Sequence, residues 1–131
     1  MIDDDIDDIT LTKEAFELIK ADVKFSFVLK ATNIVQYMDA YAGKDNIHLI
    51  LLDLNMPGID GKAVLKQLKN SPNYDTIPIV VFSTSTSETD REECLKLKAN
   101  MFLSKPANLK HWELLVQSLC YLFLHNCLPG H

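Results

Sequence analysis

The stretch Ile47-His48-Leu49-Ile50-Leu51-Leu52 is almost wholly apolar and stops abruptly at Asp53. A continuous apolar run of this length reads as a strand buried on both faces, the kind that parallel sheets bury between two layers of helices. The pattern recurs. Ile77-Pro78-Ile79-Val80-Val81-Phe82 stops at Ser83, with Pro78 at the strand entry, where a missing N–H is tolerated. Met101-Phe102-Leu103 runs to Ser104-Lys105-Pro106, Phe25-Ser26-Phe27-Val28-Leu29 reads as another strand, and Met1-Ile2 leads into Asp3-Asp4-Asp5.

Helix-period segments fill the intervals. Leu11, Ala15, Leu18 and Ile19 recur at helical spacing, as do Ile34, Met38 and Tyr41, flanked by Val35 and Ala42 and ending at Gly43. A loop with Pro57, Gly58 and Gly61 enters a short helix through Leu65 and Leu68, and residues 87–98 form a polar, charged helix. The last helix carries Trp112, Leu115, Val116, Leu119 and Phe123 on one stripe and leaves Leu114, Tyr121, Leu122 and Leu124 off it. Apolar residues beyond one stripe imply a second covered face. Strands alternating with helices predict an α/β fold, a doubly wound parallel sheet whose ligands bind beyond the carboxyl ends of the strands.

Composition narrows the function. The 131 residues suit one domain, here expected as residues 1–124 with a tail at 125–131. The 13 basic and 18 acidic residues leave a charge of −5, against direct nucleic-acid binding. The longest apolar run, residues 119–124, is far short of a membrane span, and the acidic start is unlike a signal peptide. Cys94, Cys120 and Cys127 have no Cys-x-x-Cys spacing, which favours a reducing, cytoplasmic setting. His48, His111, His125 and His131 show no metal-ligand spacing.

The polar residues at the strand ends carry the chemistry. Asp53, Ser83, Lys105 and the Asp3-Asp4-Asp5 cluster would converge at one edge. Carboxylates that close repel one another unless a cation joins them, and Mg²⁺ suits one or two carboxylates with water and phosphate oxygens. A carboxylate beside Mg²⁺ and an ammonium can accept a phosphoryl group.

The segment Leu51-Leu52-Asp53-Leu54-Asn55-Met56-Pro57-Gly58-Ile59-Asp60-Gly61 strongly resembles the phosphorylation loop of response-regulator receiver domains. The acidic cluster, Phe82-Ser83-Thr84 and Ser104-Lys105-Pro106 match the family's other signatures in order. The resemblance implies a flavodoxin-like fold with Asp53 as phosphoacceptor and Lys105 and Ser83 beside the phosphoryl group. It implies Mg²⁺ held by Asp4, Asp53 and the Asn55 backbone carbonyl, with Asp3 acting through water and Asp5 as the register alternative. Phe102 takes the aromatic switch position and pairs with Ser83 as the switch; the Lys105–Pro106 bond is expected to be cis. Only Met1 and Ile2 precede the acidic cluster, so the first strand is expected to be truncated at the N-terminus. Lys98 stands where the family often has glycine.

The resulting expectation is a single-domain receiver, phosphorylated by a histidine kinase or histidine phosphotransfer protein. It would be no separate enzyme, and would signal by contact with a downstream protein, without nucleic acid or membrane. The last strand and helix would be the output or homodimer face. Two alternatives stand beside it. One is a pseudo-receiver acting as a constitutive interaction module. The other is a haloacid-dehalogenase-type phosphatase, which wants an acid two residues after its nucleophile, where this chain has Asn55.

Overall fold

The computed structural model describes residues 1–41, 46–85 and 87–130. The elements run α1 (Ile6–Leu18), α2 (Ile34–Tyr41), β1 (Ile50–Asp53), α3 (Gly61–Lys69), β2 (Ile79–Ser83), α4 (Glu88–Lys96), β3 (Met101–Ser104) and α5 (Leu109–Phe123). Strands β1, β2 and β3 pair in parallel in that order, with Asp53 opposite Phe82 and Ser83 opposite Ser104. Ala42 and Gly43, expected at the end of the second helix, lie outside the described residues.

Strand periodicity divides the core in two. Ile50, Leu52, Ile79 and Val81 face one side and pack with Ile34 and Met38 of α2 and Val64, Leu65 and Leu68 of α3. Leu51, Val80 and Phe82 face the other and pack with Ala15 and Phe16 of α1 and Trp112, Val116 and Leu119 of α5. Both faces of β1 and β2 are covered, which is why their sequences show continuous apolar runs and not alternation. The doubly wound parallel architecture is present.

The chain start enters this sheet as a single rung. Ile2 bridges Val28 on one side and Leu52 on the other, both in parallel. Its N–H donates to the Leu51 carbonyl at 2.8 Å, and its carbonyl accepts from the Asp53 N–H at 2.9 Å. The spatial order is therefore Val28, Ile2, β1, β2, β3. The expected strand over residues 25–29 is reduced to a bridge at Val28, because a ladder needs a partner and, among the described residues, only 1–3 pair with it. An open groove of about 910 Å³ lies beside Ile2, lined by Phe25, Phe27, Leu49 and Phe123 among others.

Two local features bear on the site. Gly61 opens α3 where a Cβ would lie 2.7 Å from the Leu54 carbonyl oxygen, so the loop after Asp53 can close on α3 only over a glycine. Lys98 sits at φ +74° after α4, where its N–H and that of Ala99 reach back to the Leu95 and Cys94 carbonyls. Residues just after α5 return to the core. Cys127 is buried against α1 and α5, its carbonyl accepts the Asp22 N–H at 2.6 Å, and Leu124 packs half-buried into the same core. Leu114, Tyr121 and Leu122 of α5 remain exposed.

Candidate functional site

Asp53 closes β1 with its side chain almost fully buried. One carboxylate oxygen, Oδ1, accepts the Asn55 N–H at 2.9 Å; the other, Oδ2, lies 3.3 Å from the Lys105 ammonium. Lys105 follows β3, where its N–H continues the ladder by donating to the Ser83 carbonyl at 3.0 Å. Its Nζ also lies 3.3 Å from Asp3 Oδ2 and bonds Asp8 Oδ2 at 2.6 Å. Burial alone would lower the pKa of this ammonium, but its bond to Asp8 and the charges of Asp3 and Asp53 raise it above its usual value.

Asp3 is fully buried just past the Ile2 rung, and its Oδ1 accepts the Asp5 N–H at 2.9 Å. Burial pushes its pKa up to about 7, against that backbone bond and with Asp53 adding repulsion. Its Oδ2 has no hydrogen-bond partner, although Lys105 stands nearby. Carboxylate oxygens of Asp3, Asp4 and Asp53 lie within 4.8 Å of one another, two of the residues buried and Asp4 exposed. This oxygen-only set, with an orphaned buried oxygen and one ligand open to water, fits a hard divalent cation. Asp5 is used differently. It caps α1, its carboxylate accepting the Asp7 N–H at 2.9 Å.

Ser83 is buried at the end of β2, and its hydroxyl donates to the Asn55 side-chain oxygen at 2.9 Å. That oxygen also accepts the Thr84 N–H at 2.8 Å and the Thr84 hydroxyl at 3.2 Å. Beyond the backbone role that the resemblance implies for Asn55, its side chain ties the loop after β1 to the loop after β2. Phe102, half-buried, packs against the core on the α2–α3 side. It pairs with Val81, and strand alternation puts Val81 and Ser83 on one face, so Phe102 and Ser83 are diagonal neighbours across β2 and β3.

One expectation is corrected. The Lys105–Pro106 bond is trans; among the described residues no peptide is cis. The trans form is the lower one even before proline, and here the chain runs from the Lys105 ladder bond to the Asn108 cap of α5 without needing a cis turn. One residue was missed altogether. Asp8, in the first turn of α1, makes the shortest contact to Lys105. Its only signal is that it stands, with Asp7, just after the Asp3-Asp4-Asp5 cluster, because nothing in the sequence says which face of the first helical turn meets the strand ends.

The chain matches the family model for the response regulator receiver domain over residues 1–117. It is 38% identical over 91 residues to the response regulator Rcp1 of Synechocystis sp., covering 70% of this chain and 62% of that protein. It is 29% identical over 123 residues to a probable methanogenesis regulatory protein, FilR2, of Methanothrix harundinacea, covering 92% of this chain and 79% of that one. The matched stretch thus spans under two thirds of the length of Rcp1. Among solved structures, it resembles the phosphorylated cyanobacterial phytochrome response regulator RcpA (TM-score 0.82, 32% identity, 98% of this chain and 95% of that one). It also resembles the Mn²⁺-bound form of Rcp1 (TM-score 0.78, 29% identity, 98% and 96%). Among the described residues, no helix is long and apolar enough to cross a membrane. With the parallel sheet, the buried aspartate at the end of β1 and the lysine after β3 in place, the chain belongs to the response regulator receiver domains of two-component signalling.

Proposed function

We propose that this receiver takes a phosphoryl group onto Asp53 from a histidine kinase or histidine phosphotransfer protein and signals by protein contact. The observation that carries the reading is the Asp53 carboxylate, buried at a strand end with Lys105 at 3.3 Å and two further aspartates within 4.8 Å. The Asp53 oxygen forms a bond to phosphorus as the bond from phosphorus to the donor nitrogen breaks; the imidazole leaves with that electron pair. Lys105 offsets charge on the transferred oxygens, in a site whose donors are already in position. Asp4, Asp53 and the Asn55 backbone carbonyl, with Asp3 through water, would hold Mg²⁺, which would supply positive charge against the phosphoryl oxygens.

After transfer, the Ser83 hydroxyl would leave Asn55 for a phosphoryl oxygen, and Phe102 would move into the vacated space. The exposed Leu114, Tyr121 and Leu122 of α5 extend from β3 as the face for a downstream protein or a second copy. Its setting is the cytoplasm, with residues 1–124 as the receiver domain and residues 125–131 as its tail. No separate enzyme activity is assigned to it. Incubation with acetyl phosphate and Mg²⁺ tests the reading by intact mass. Wild type should gain one phosphate and Asp53→Asn none. Equal labelling of the two would move the phosphoacceptor elsewhere, and no labelling of wild type would leave the constitutive interaction module.

A further inference from the structure

We infer that Asp8 is a positioning residue for phosphoryl uptake, the anchor that keeps the Lys105 ammonium in the site while the other carboxylates are engaged. The inference rests on Asp53 as the phosphoacceptor. Three carboxylates surround Lys105 Nζ: Asp8 at 2.6 Å, and Asp3 and Asp53 each at 3.3 Å. Asp3 and Asp53 belong to the group of oxygens that fits a divalent cation, and Asp8 does not. Once a cation and a phosphoryl group occupy that group, Asp3 and Asp53 have other partners. Asp8 is then the one of the three still available to hold the ammonium.

The anchor is firmly built. Asp8 lies in the first turn of α1, beyond the Asp5 cap, and its own carbonyl accepts the Thr12 hydroxyl at 2.6 Å. Its carboxylate is largely shielded, with a side-chain exposure of 19%, and the Lys105 side chain is at 12%. A lysine is a point charge on a flexible four-carbon stem, so its position must be fixed by what it bonds. With one N–H on Asp8, the Lys105 ammonium stays 3.3 Å from the Asp53 oxygen Oδ2, beside the place where Asp53 would carry the phosphoryl group, and little reorganisation is needed at transfer.

Bulk electrostatics predicts the opposite effect of removing Asp8. Deleting a negative charge beside the site should attract an anionic donor and speed uptake. Positioning predicts slower uptake, so the direction of change discriminates the two. The experiment measures initial rates of uptake from acetyl phosphate with Mg²⁺, by intact mass, for wild type, Asp8→Asn, Asp8→Glu, Lys105→Ala and the double variant Asp8→Asn/Lys105→Ala. Loss of one charge-assisted bond should slow Asp8→Asn roughly tenfold. Asp8→Glu, which keeps the charge on a longer stem, should restore most of the rate. The double variant should be no slower than Lys105→Ala, because Asp8 acts only through the lysine.

Asp8→Asn at or above the wild-type rate overturns the inference. So does an Asp8→Glu variant as slow as Asp8→Asn, or an equal loss in the Lys105→Ala background, which would mark Asp8 as structural. A wild type that takes up no phosphate is a different failure: it removes the phosphoacceptor reading itself, and the inference with it.

Discussion

The side-chain oxygen of Asn55 accepts the Ser83 hydroxyl at 2.9 Å, and this bond ties together the two loops that border Asp53. The same oxygen holds the Thr84 N–H and hydroxyl. Asn55→Ala removes all three bonds and leaves the buried Ser83 hydroxyl without this acceptor. A buried polar group left unsatisfied costs about 1–3 kcal/mol, so the urea midpoint should fall by a corresponding amount. A shift within a few tenths of a kcal/mol would mean that the loops are held elsewhere.

Ser83→Ala separates chemistry from response. Ser83 is buried beside Asn55 and diagonal to Phe102, while Asp53 is positioned by Asn55 and Lys105. Phosphoryl uptake should stay measurable in the variant. The chemical-shift changes at Phe102 that accompany phosphorylation of the wild type should disappear. Changes of wild-type size at Phe102 would place the route to β3 and α5 through another residue.

Lys98 offers a test of backbone strain. A side chain at φ +74° crowds its own carbonyl, and β-branched or long residues adopt this region at a cost of roughly 1–2 kcal/mol relative to glycine. Part of that cost returns through the greater freedom of glycine in the unfolded chain. Lys98→Gly should therefore stabilise the protein by about 1 kcal/mol, read as a higher urea midpoint with an unchanged slope. A destabilised variant would show that the Lys98 side chain contributes more than its backbone loses.

Sequence and structure agree most where a single principle governs. The apolar runs ending at Asp53 and Ser83 are buried on both faces, and that condition alone fixes strands β1 and β2 and the ends at which the site forms. Asp3 and Lys105 were legible because the elements that carry them lead straight to the same edge. What escaped depended on neighbours distant in sequence. The segment at residues 25–29 has strand-forming residues, yet whether it pairs is decided by how much chain runs beside it. Asp8 joins the site through the rotation of α1 about its axis, and the Asn55 side chain through a loop 28 residues away. The isomer of the Lys105–Pro106 bond follows the path to α5, which no short motif encodes.

Tyr74 gives a prediction that depends on pH. It is fully buried in the loop after α3, and its hydroxyl donates to Asp39 Oδ1 of α2 at 2.5 Å. Burial, reinforced by the bond to Asp39, pushes its pKa up from 10.0 to about 12. The folded chain thus keeps this proton at a pH where the unfolded chain has released it. Above pH 10 the unfolded state binds fewer protons, and stability must fall as pH rises. The contribution is complete below pH 10, is lost progressively between pH 10 and about 12, and changes no further beyond. Tyr74→Phe cannot titrate there and lacks the bond at every pH. Urea midpoints at a series of pH values should show wild type above the variant near neutrality, with the gap closing as pH rises past 10. Titration of the other groups is common to both chains and cancels in the difference. A gap of constant size through this range would mean that the Tyr74 hydroxyl ionises alike in the folded and unfolded states, and that the bond to Asp39 does not hold its proton.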